Sequence, residues 1–150
     1  MGLRFLVVEG NTREARDRHA VEFGLTPSQS YAAVLERITP GAVCDLAFPA
    51  DEGANLPDPA GVASYDGVAL TGSALHVYQL EPAVSRQIEL MRAVYTSGVP
   101  AFGSCWGLVS GFGARSLPWP ARPWSFPLYI RSFSKVLSPN DRPTSRLVPS

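Results

Sequence analysis

Four short apolar runs, rich in β-branched residues and separated by helical stretches, decide what this chain of 150 residues can fold into. Each run is mostly apolar rather than alternating, which is typical of strands buried on both faces of a parallel sheet. Parallel strands need crossover connections, and these are right-handed. The sequence therefore predicts an α/β fold with helices on both faces of a mostly parallel sheet, whose strands cover residues 3–8, 42–48, 67–71 and 99–102.

Three helices are predicted between these strands. The clearest signal covers residues 26–38, where Thr26 and Gln29 form a capping box and Pro27 suits the first turn. The other two helices cover residues 12–23 and 82–97. The predicted apolar faces are, in chain order, Ala15, His19 and Phe23; Tyr31, Val34, Leu35 and Ile38; and Val84, Ile88, Met91 and Tyr95. A loop rich in Pro, Gly and Asp is expected over residues 49–64.

The composition changes abruptly at Val109. Residues 1–108 contain 7 Lys and Arg against 12 Asp and Glu, a net charge of −5, whereas residues 109–150 contain 6 against 1, a net charge of +5. Seven of the 14 prolines and eight serines lie in those last 42 residues, and prolines oppose long regular elements. We interpret residues 1–108 as an incomplete α/β domain, and residues 109–150 as a Pro-, Ser- and Arg-rich tail that is disordered or results from a reading-frame change.

The overall charge favours one class of partner. The formal net charge is zero, which gives no case for nucleic acid or an anionic membrane as the main partner, since those need an uncompensated basic surface, and a small molecule is the expected ligand. Only Cys44 and Cys105 are present, in such different contexts that we predict no disulfide, which suits a reducing cytoplasm. No apolar run approaches the roughly 20 residues that span a bilayer. No His, Cys or acidic residues combine into a ligand spacing, so neither a metal nor a cofactor is expected.

Cys105 is the candidate nucleophile. It stands within residues 103–107 (Gly-Ser-Cys-Trp-Gly) at the end of the fourth predicted strand. A nucleophile on a sharp strand-to-helix turn needs very small residues two positions before and two after it, and Gly103 and Gly107 meet that need. A helix starting there would favour the thiolate over the thiol. The alternative is that Cys105 is a small buried apolar residue on an ordinary turn.

Two strand ends supply the hydrogen-bond donors that acyl transfer requires. The backbone N–H of Trp106 would point toward the same space as the sulfur. Gly72 and Ser73 close the neighbouring third strand and offer further N–H groups at the same edge of the sheet. An oxyanion hole needs its second donor at this place.

These residues make the sequence resemble the class I glutamine amidotransferases, most closely their GMP-synthase-like branch, over roughly residues 3–108. Residues 103–107 look like the nucleophile elbow of the family, and residues 70–73 (Leu-Thr-Gly-Ser) followed by Val77 and Tyr78 look like its oxyanion strand. The resemblance implies a flavodoxin-like three-layer sandwich. It also implies that the cysteine attacks the side-chain amide of glutamine, forms a γ-glutamyl thioester and releases ammonia to an acceptor.

The resemblance assigns roles to five residues. It makes Cys105 the nucleophile, with the N–H groups of Trp106 and of Ser73 or Gly72 stabilising the oxyanion, and Gly107 as the last glycine of the elbow. Glutamine is then the small-molecule substrate. A synthetase or another acceptor subunit is the partner that would use the ammonia.

The sequence departs from the family after the elbow. Where the family has a glutamine that helps to hold the substrate, this chain has Val109. The catalytic His and Glu of the family, spaced His-x-Glu, lie far downstream, but His76 is the last histidine here and Asp141 is the only acid after Glu89. Leaving-group protonation is lost without the base. We therefore expect this chain to turn over glutamine very slowly or not at all.

Several other residues allow both a functional and a purely structural interpretation. His76 could act as a substitute base, but a solvated loop histidine is the better interpretation. His19 is expected to border the core with its ring nitrogens hydrogen-bonded or wet, and Cys44 is expected in the core. Glu9, at the carboxyl end of the first strand, could touch a ligand, although a solvated turn carboxylate is favoured.

Two further functional hypotheses remain. The first is a non-catalytic α/β module that binds a small ligand or a partner subunit through the same cleft. The second is a cysteine hydrolase or peptidase of related flavodoxin-like fold, in which the elbow is similar and the substrate is not glutamine.

The change at Val109 makes a prediction about the coding sequence. If the tail results from a reading-frame change, another frame at codon 109 encodes Gln and, further on, His-x-Glu. Sequencing the gene around that codon is the measurement. Stop codons close to codon 109 in both other frames would contradict a frame change.

Overall fold

The computed structural model describes residues 2–76 and 81–106 of the chain. The elements, in chain order, are β1 (Arg4–Val8), α1 (Arg13–Phe23), α2 (Pro27–Ile38), β2 (Val43–Ala47), α3 (Pro59–Val62), β3 (Gly67–Leu70), α4 (Pro82–Ser97) and β4 (Ala101–Gly103). The strands form one sheet in the order β2-β1-β3-β4, and every pairing is parallel. This confirms the predicted α/β class and is consistent with a flavodoxin-like sandwich.

The capping box of α2 forms as predicted. Thr26 Oγ1 accepts a hydrogen bond from Gln29 N at 3.2 Å, and Gln29 Oε1 accepts one from Thr26 N at 2.9 Å. Two donors that the first turn would leave unpaired are thereby satisfied. The carboxyl ends of two other helices, α1 and α4, are capped by Gly24 and Gly98, each in the left-handed conformation that glycine adopts without steric cost.

The short helix α3 lies within the segment predicted as a loop, so the prediction is wrong for these four residues. Asp58 Oδ1 accepts a hydrogen bond from Gly61 N at 2.7 Å, and Pro59 occupies the first turn. A capping aspartate followed by proline is a helix-start signal. It is easily missed in a stretch with so many turn-forming residues.

The main core lies between the sheet and α4. Leu6 and Val8 of β1, and Val68 and Leu70 of β3, alternate toward this side and join a buried cluster with residues of α3 and α4. The α4 contribution to the cluster is Leu90, Met91, Ala93 and Val94, with Ile88 and Tyr95 packed against it. The predicted apolar face of α4 is therefore confirmed, and Val84 is fully buried as well.

The helices on the other side are packed differently from the prediction. Phe23 of α1 is 64% exposed and Ile38 of α2 is 57% exposed, so the predicted apolar stripes are wrong at these positions. In α1 the buried residue is Arg16, because its guanidinium lies 4.6 Å from the Phe48 ring centroid and pairs with a carboxylate. Few of the side chains of α1 are apolar, and an ion pair anchors this helix in place of an apolar face.

The loop after β2 is held from both faces of the sheet. From α1, Arg16 forms a bidentate pair with Asp51, with Nη1 to Oδ1 at 2.7 Å and Nη2 to Oδ2 at 2.6 Å. From α4, Arg86 donates to the backbone carbonyls of Pro49 at 2.9 Å and Ala50 at 2.8 Å. The hydrogen bonds from Arg16 hold the pKa of the Asp51 carboxyl below its ordinary value.

Within residues 2–76 and 81–106, no helix is long and apolar enough to cross a membrane.

The Arg16–Asp51 pair gives a stability prediction. Because the pKa of Asp51 is lower in the folded state, the pair stabilises the fold above the ordinary aspartate pKa, and this stabilisation is lost as pH falls through the lowered value. Asp51→Asn should therefore cost about 3 kcal/mol at neutral pH, since Arg16 keeps a buried, unpaired charge. Urea unfolding from neutral to acidic pH should show the difference from the parent shrinking.

The matched control is Arg13→Gln. Arg13 lies 3.4 Å from the same carboxylate, but its side chain is 73% exposed. Its loss should change the unfolding free energy by about 0.5 kcal/mol or less, since exposed pairs contribute little. Equal effects of the two substitutions would contradict the importance of the buried pair.

Candidate active site

Cys105 lies two residues beyond β4, at the carboxyl edge of the parallel sheet, and it is exposed. Its φ is +48°, and among the described residues no other non-glycine residue has positive φ. This left-handed conformation is unfavourable for a residue with a Cβ, and it is typical of a nucleophile on a sharp turn after a strand. The backbone thus presents the Cys105 side chain beyond the end of the strand.

The turn after β3 approaches the cysteine. A Cβ built on Gly72 would lie 3.6 Å from the Cβ of Cys105. A Cβ on Gly10, which follows β1, would lie 2.8 Å from Gly72 O and 3.0 Å from both Ser73 Cβ and Trp106 Cδ1. Three strand ends therefore converge on one small region. The structure brings together four of the five predicted site residues, Gly72, Ser73, Cys105 and Trp106.

Trp106 is directed into the protein interior. Its side chain is buried, and its indole Nε1 donates a hydrogen bond to Gln87 Oε1 at 2.6 Å. The other end of the amide, Gln87 Nε2, donates to Gly10 O at 3.1 Å. Gln87 belongs to α4 and is 4% exposed. Gln87 was not predicted as a site residue, although a polar residue beside Val84 and Ile88 on the buried face of a helix is a signal for such a role.

The residue before the cysteine is held from the opposite side of the sheet. A short hydrogen bond joins the Tyr31 hydroxyl of α2 to Ser104 Oγ. The backbone N–H of Ser104 donates to Leu70 O at 3.3 Å, which extends the pairing of β4 with β3. Tyr31 was predicted only as part of an apolar face, and its polar role depends on a contact that its position in the sequence does not reveal.

The Glu9 carboxylate is completely buried, so the prediction of a solvated turn carboxylate is wrong. Its Oε1 accepts hydrogen bonds from the backbone N and the Nδ2 of Asn11, both at 3.1 Å. Its Oε2 accepts one from Ser28 N at 2.9 Å, in the first turn of α2. These donors, together with the Thr71 hydroxyl 3.3 Å from Oε1, replace the water that the carboxylate loses on burial. The start of a helix also favours a negative charge.

Asn11 and Thr71 connect Glu9 to the turn that approaches Cys105. Thr71 Oγ1 lies 3.0 Å from Gly72 O, so its single proton can reach either that carbonyl or Glu9. Asn11 Oδ1 accepts a hydrogen bond from Ala74 N at 3.2 Å, and Asn11 Nδ2 lies 3.5 Å from Gly72 O. The buried carboxylate therefore supports the turn that contains Gly72 and Ser73, one of which is predicted to supply an oxyanion donor.

The remaining candidate residues have ordinary surroundings. His19 Nδ1 lies 2.9 Å from Leu25 O, and its ring packs 4.6 Å from that of Phe23, so the predicted hydrogen-bonded histidine is found. His76 is exposed, beyond the Gly72 turn. Cys44 is half-buried rather than in the core, and partial burial raises the pKa of its thiol.

Some predictions fall on residues that the structure does not describe. These are the role of Gly107, the Val77 and Tyr78 part of the oxyanion strand, and the tail over residues 109–150. In the described part of the chain, no group of three His, Cys, Asp or Glu residues is arranged to hold a metal ion.

Comparison with known proteins gives one informative similarity. No family model matches the chain, and no solved structure matches it. The chain is 37% identical over 119 residues to a γ-glutamyl-L-1-hydroxyisopropylamide hydrolase from Pseudomonas sp.. The similarity supports a glutamine amidotransferase-like hydrolase class. The aligned segment covers 77% of this chain but 40% of the relative, so the chain spans less than half of that protein.

The close approach at Gly10 gives a testable prediction. In a Gly10→Ala variant the new Cβ would meet Gly72 O at 2.8 Å, so the backbone of one of the two turns must shift. We expect a cost of about 1–3 kcal/mol in the free energy of unfolding, as for other overpacked sites. Denaturant titration followed by circular dichroism measures it.

Gly72→Ala is the control. Its new Cβ would make only an ordinary contact with Cys105 at 3.6 Å, so we expect a change within about 0.5 kcal/mol. A Gly10→Ala variant as stable as the parent would mean that the strand ends lie farther apart in solution.

Proposed function

We propose that this sequence carries the nucleophile half of a γ-glutamyl amide hydrolase, with Cys105 as the nucleophile. The observation that carries the proposal is the left-handed backbone at Cys105 beside the Gly72 turn. Such strain at a non-glycine residue is characteristic of functional sites. The similarity to a hydrolase whose name specifies a γ-glutamyl amide narrows the reaction class.

The first chemical step is the formation of a thioester. The Cys105 thiolate attacks the γ-carbonyl carbon of the substrate and forms an S–C bond, and the carbonyl oxygen becomes an oxyanion. The N–H of Trp106 and that of Ser73 or Gly72 would donate to this oxygen, a type of contribution worth about 10²–10³ in rate for one donor. The C–N bond then breaks and the nitrogen leaves with an added proton.

Hydrolysis completes the reaction. Water attacks the thioester carbon, the C–S bond breaks, and free glutamate and the thiol are released. Glutamine would yield ammonia, whereas a substituted γ-glutamyl amide would yield a primary amine. Both proton transfers need a general acid and base. This sequence has no His-x-Glu pair after His76, so we propose that its residues alone form an incomplete site.

The finer aspects of the function are also proposals. Glutamine is the substrate expected from the resemblance to the GMP-synthase-like branch, and a small γ-glutamyl alkylamide is the substrate suggested by the relative. A synthetase or acceptor subunit is the partner if ammonia is the product that is used. We place the reaction in the cytoplasm, because two cysteines in such different contexts suit a reducing compartment.

Activity is predicted for three proteins, namely this chain, a chimera, and the chimera carrying Cys105→Ala. The chimera joins residues 1–106 to the downstream part of a class I glutamine amidotransferase that contains His-x-Glu. This chain should release little or no ammonia from glutamine or amine from γ-glutamyl isopropylamide. The chimera should be faster by about a thousandfold or more, and Cys105→Ala should abolish the gain. Coupled glutamate detection follows both substrates.

Different outcomes separate the competing hypotheses. Robust turnover by this chain would contradict the incomplete site and would make His76 the first residue to mutate. Activity that survives Cys105→Ala would exclude this nucleophile. A folded chimera that binds γ-glutamyl amides without turnover would favour the non-catalytic module, and turnover of other amides or peptides alone would favour a different cysteine hydrolase.

A further inference from the structure

The backbone at Cys105 needs to be held in place by its surroundings. A φ of +48° brings the Cβ of an L-residue close to its own backbone, so an isolated chain would avoid it. Conformations of this kind persist only when contacts around them over-determine the geometry. Cys105 itself is exposed, so its own side chain cannot supply those contacts. They must come from its neighbours in the chain.

On one face of the sheet, Gln87 holds the residue after the cysteine. Its buried amide accepts from Trp106 Nε1 at 2.6 Å and donates to Gly10 O at 3.1 Å. Both ends of the amide are therefore used, and the indole is tied to the end of β1. Because Trp106 Cδ1 lies within 3.0 Å of where a Cβ on Gly10 would stand, the ring has little room to turn.

On the opposite face, Tyr31 holds the residue before the cysteine through the short hydrogen bond to Ser104 Oγ. Tyr31 is on α2, whose first turn is bound to the buried Glu9 carboxylate through Ser28 N at 2.9 Å. The hydroxyl is thus presented by a helix with a fixed start. Cys105 stands between two residues whose side chains are anchored in opposite directions.

We propose that Gln87 and Tyr31 are positioning residues that act as a two-sided clamp and impose the left-handed conformation on Cys105. The clamp itself is independent of any reaction. Its catalytic meaning rests on the proposed function: it would present the sulfur beyond the strand and aim the Trp106 N–H at the same space. If Gln87 and Tyr31 had only a general structural role, their contribution to stability would not depend on the backbone conformation at residue 105.

The test compares Cys105→Gly with Cys105→Ala in the full chain. Glycine adopts positive φ without steric cost, whereas alanine does not. In the parent background, Cys105→Gly should have an unfolding equilibrium constant about fivefold smaller than Cys105→Ala. Adding Gln87→Met, which is similar in length but lacks both hydrogen-bonding groups, should lower the alanine-to-glycine ratio of unfolding constants from about five to one or below, since the turn can relax. Tyr31→Phe should also lower the alanine-to-glycine ratio of unfolding constants.

Matched controls separate the clamp from general loss of stability. Gln29→Met removes the other glutamine of the described segments, which caps α2, and Tyr65→Phe removes a hydroxyl bonded to Asp45 at 3.0 Å. Both should destabilise the chain and leave the alanine-to-glycine ratio of unfolding constants unchanged. A ratio that is also unchanged by Gln87→Met and Tyr31→Phe would overturn the proposal. So would a ratio of one in the parent, or an equal change in the controls.

Two features keep the result decisive. If Gln87→Met does not fold, Tyr31→Phe decides alone, because it removes a single oxygen, and an unchanged ratio in that variant overturns the clamp. The proteins compared lack the Cys105 thiol, so their stabilities do not depend on turnover. If the ratio changes as expected but the chimera is inactive, the proposed function is wrong and the clamp stands. If the ratio does not change but the chimera is active, the clamp is wrong and the proposed function stands.

Discussion

The structure around the candidate site depends on one buried carboxylate. Glu9 directly follows β1, and its two oxygens accept hydrogen bonds from the start of α2 and from Asn11, with the Thr71 hydroxyl within reach. A single side chain therefore joins the first turn of α2 to the turns after β1 and β3. A buried charge is tolerated only where its donors are already in place. The start of α2 and the turns after β1 and β3 thus stabilise the carboxylate, and the carboxylate in turn holds these three segments together.

The arrangement above this carboxylate has two halves with different properties. The turn after β3 is supported from below by Asn11 and Thr71, and it contributes backbone groups. The turn that carries Cys105 is supported sideways, by Gln87 and Tyr31, and contributes a side chain. Cys105 and the Trp106 N–H belong to one polar network and the Gly72 turn to another, and the two networks meet at Gly10.

The sequence predicted those features that depend on local signals. The parallel sheet, the capping box at Thr26 and the buried face of α4 were correct, because apolar runs, caps and helical periodicity act over a few residues. The stripe through Phe23 and the solvated Glu9 were wrong, because Arg16 and Glu9 are buried by partners 19 to 62 positions away. The hydrogen bonds of Gln87 and Tyr31 were not predicted, because their partners are also distant in the sequence. The proximity of Gly72 and Cys105 could be predicted, since adjacent parallel strands end at one edge.

The loop after β2 has a consequence for ligand entry. It leaves the same edge of the sheet as the Cys105 turn, and two arginines from opposite faces already hold it. Mobile loops beside a cleft lose conformational entropy when a ligand orders them, and that loss weakens binding. Here residues 49–51 are already ordered when the chain folds. A ligand that contacted these three residues would bind without the entropic cost of ordering them.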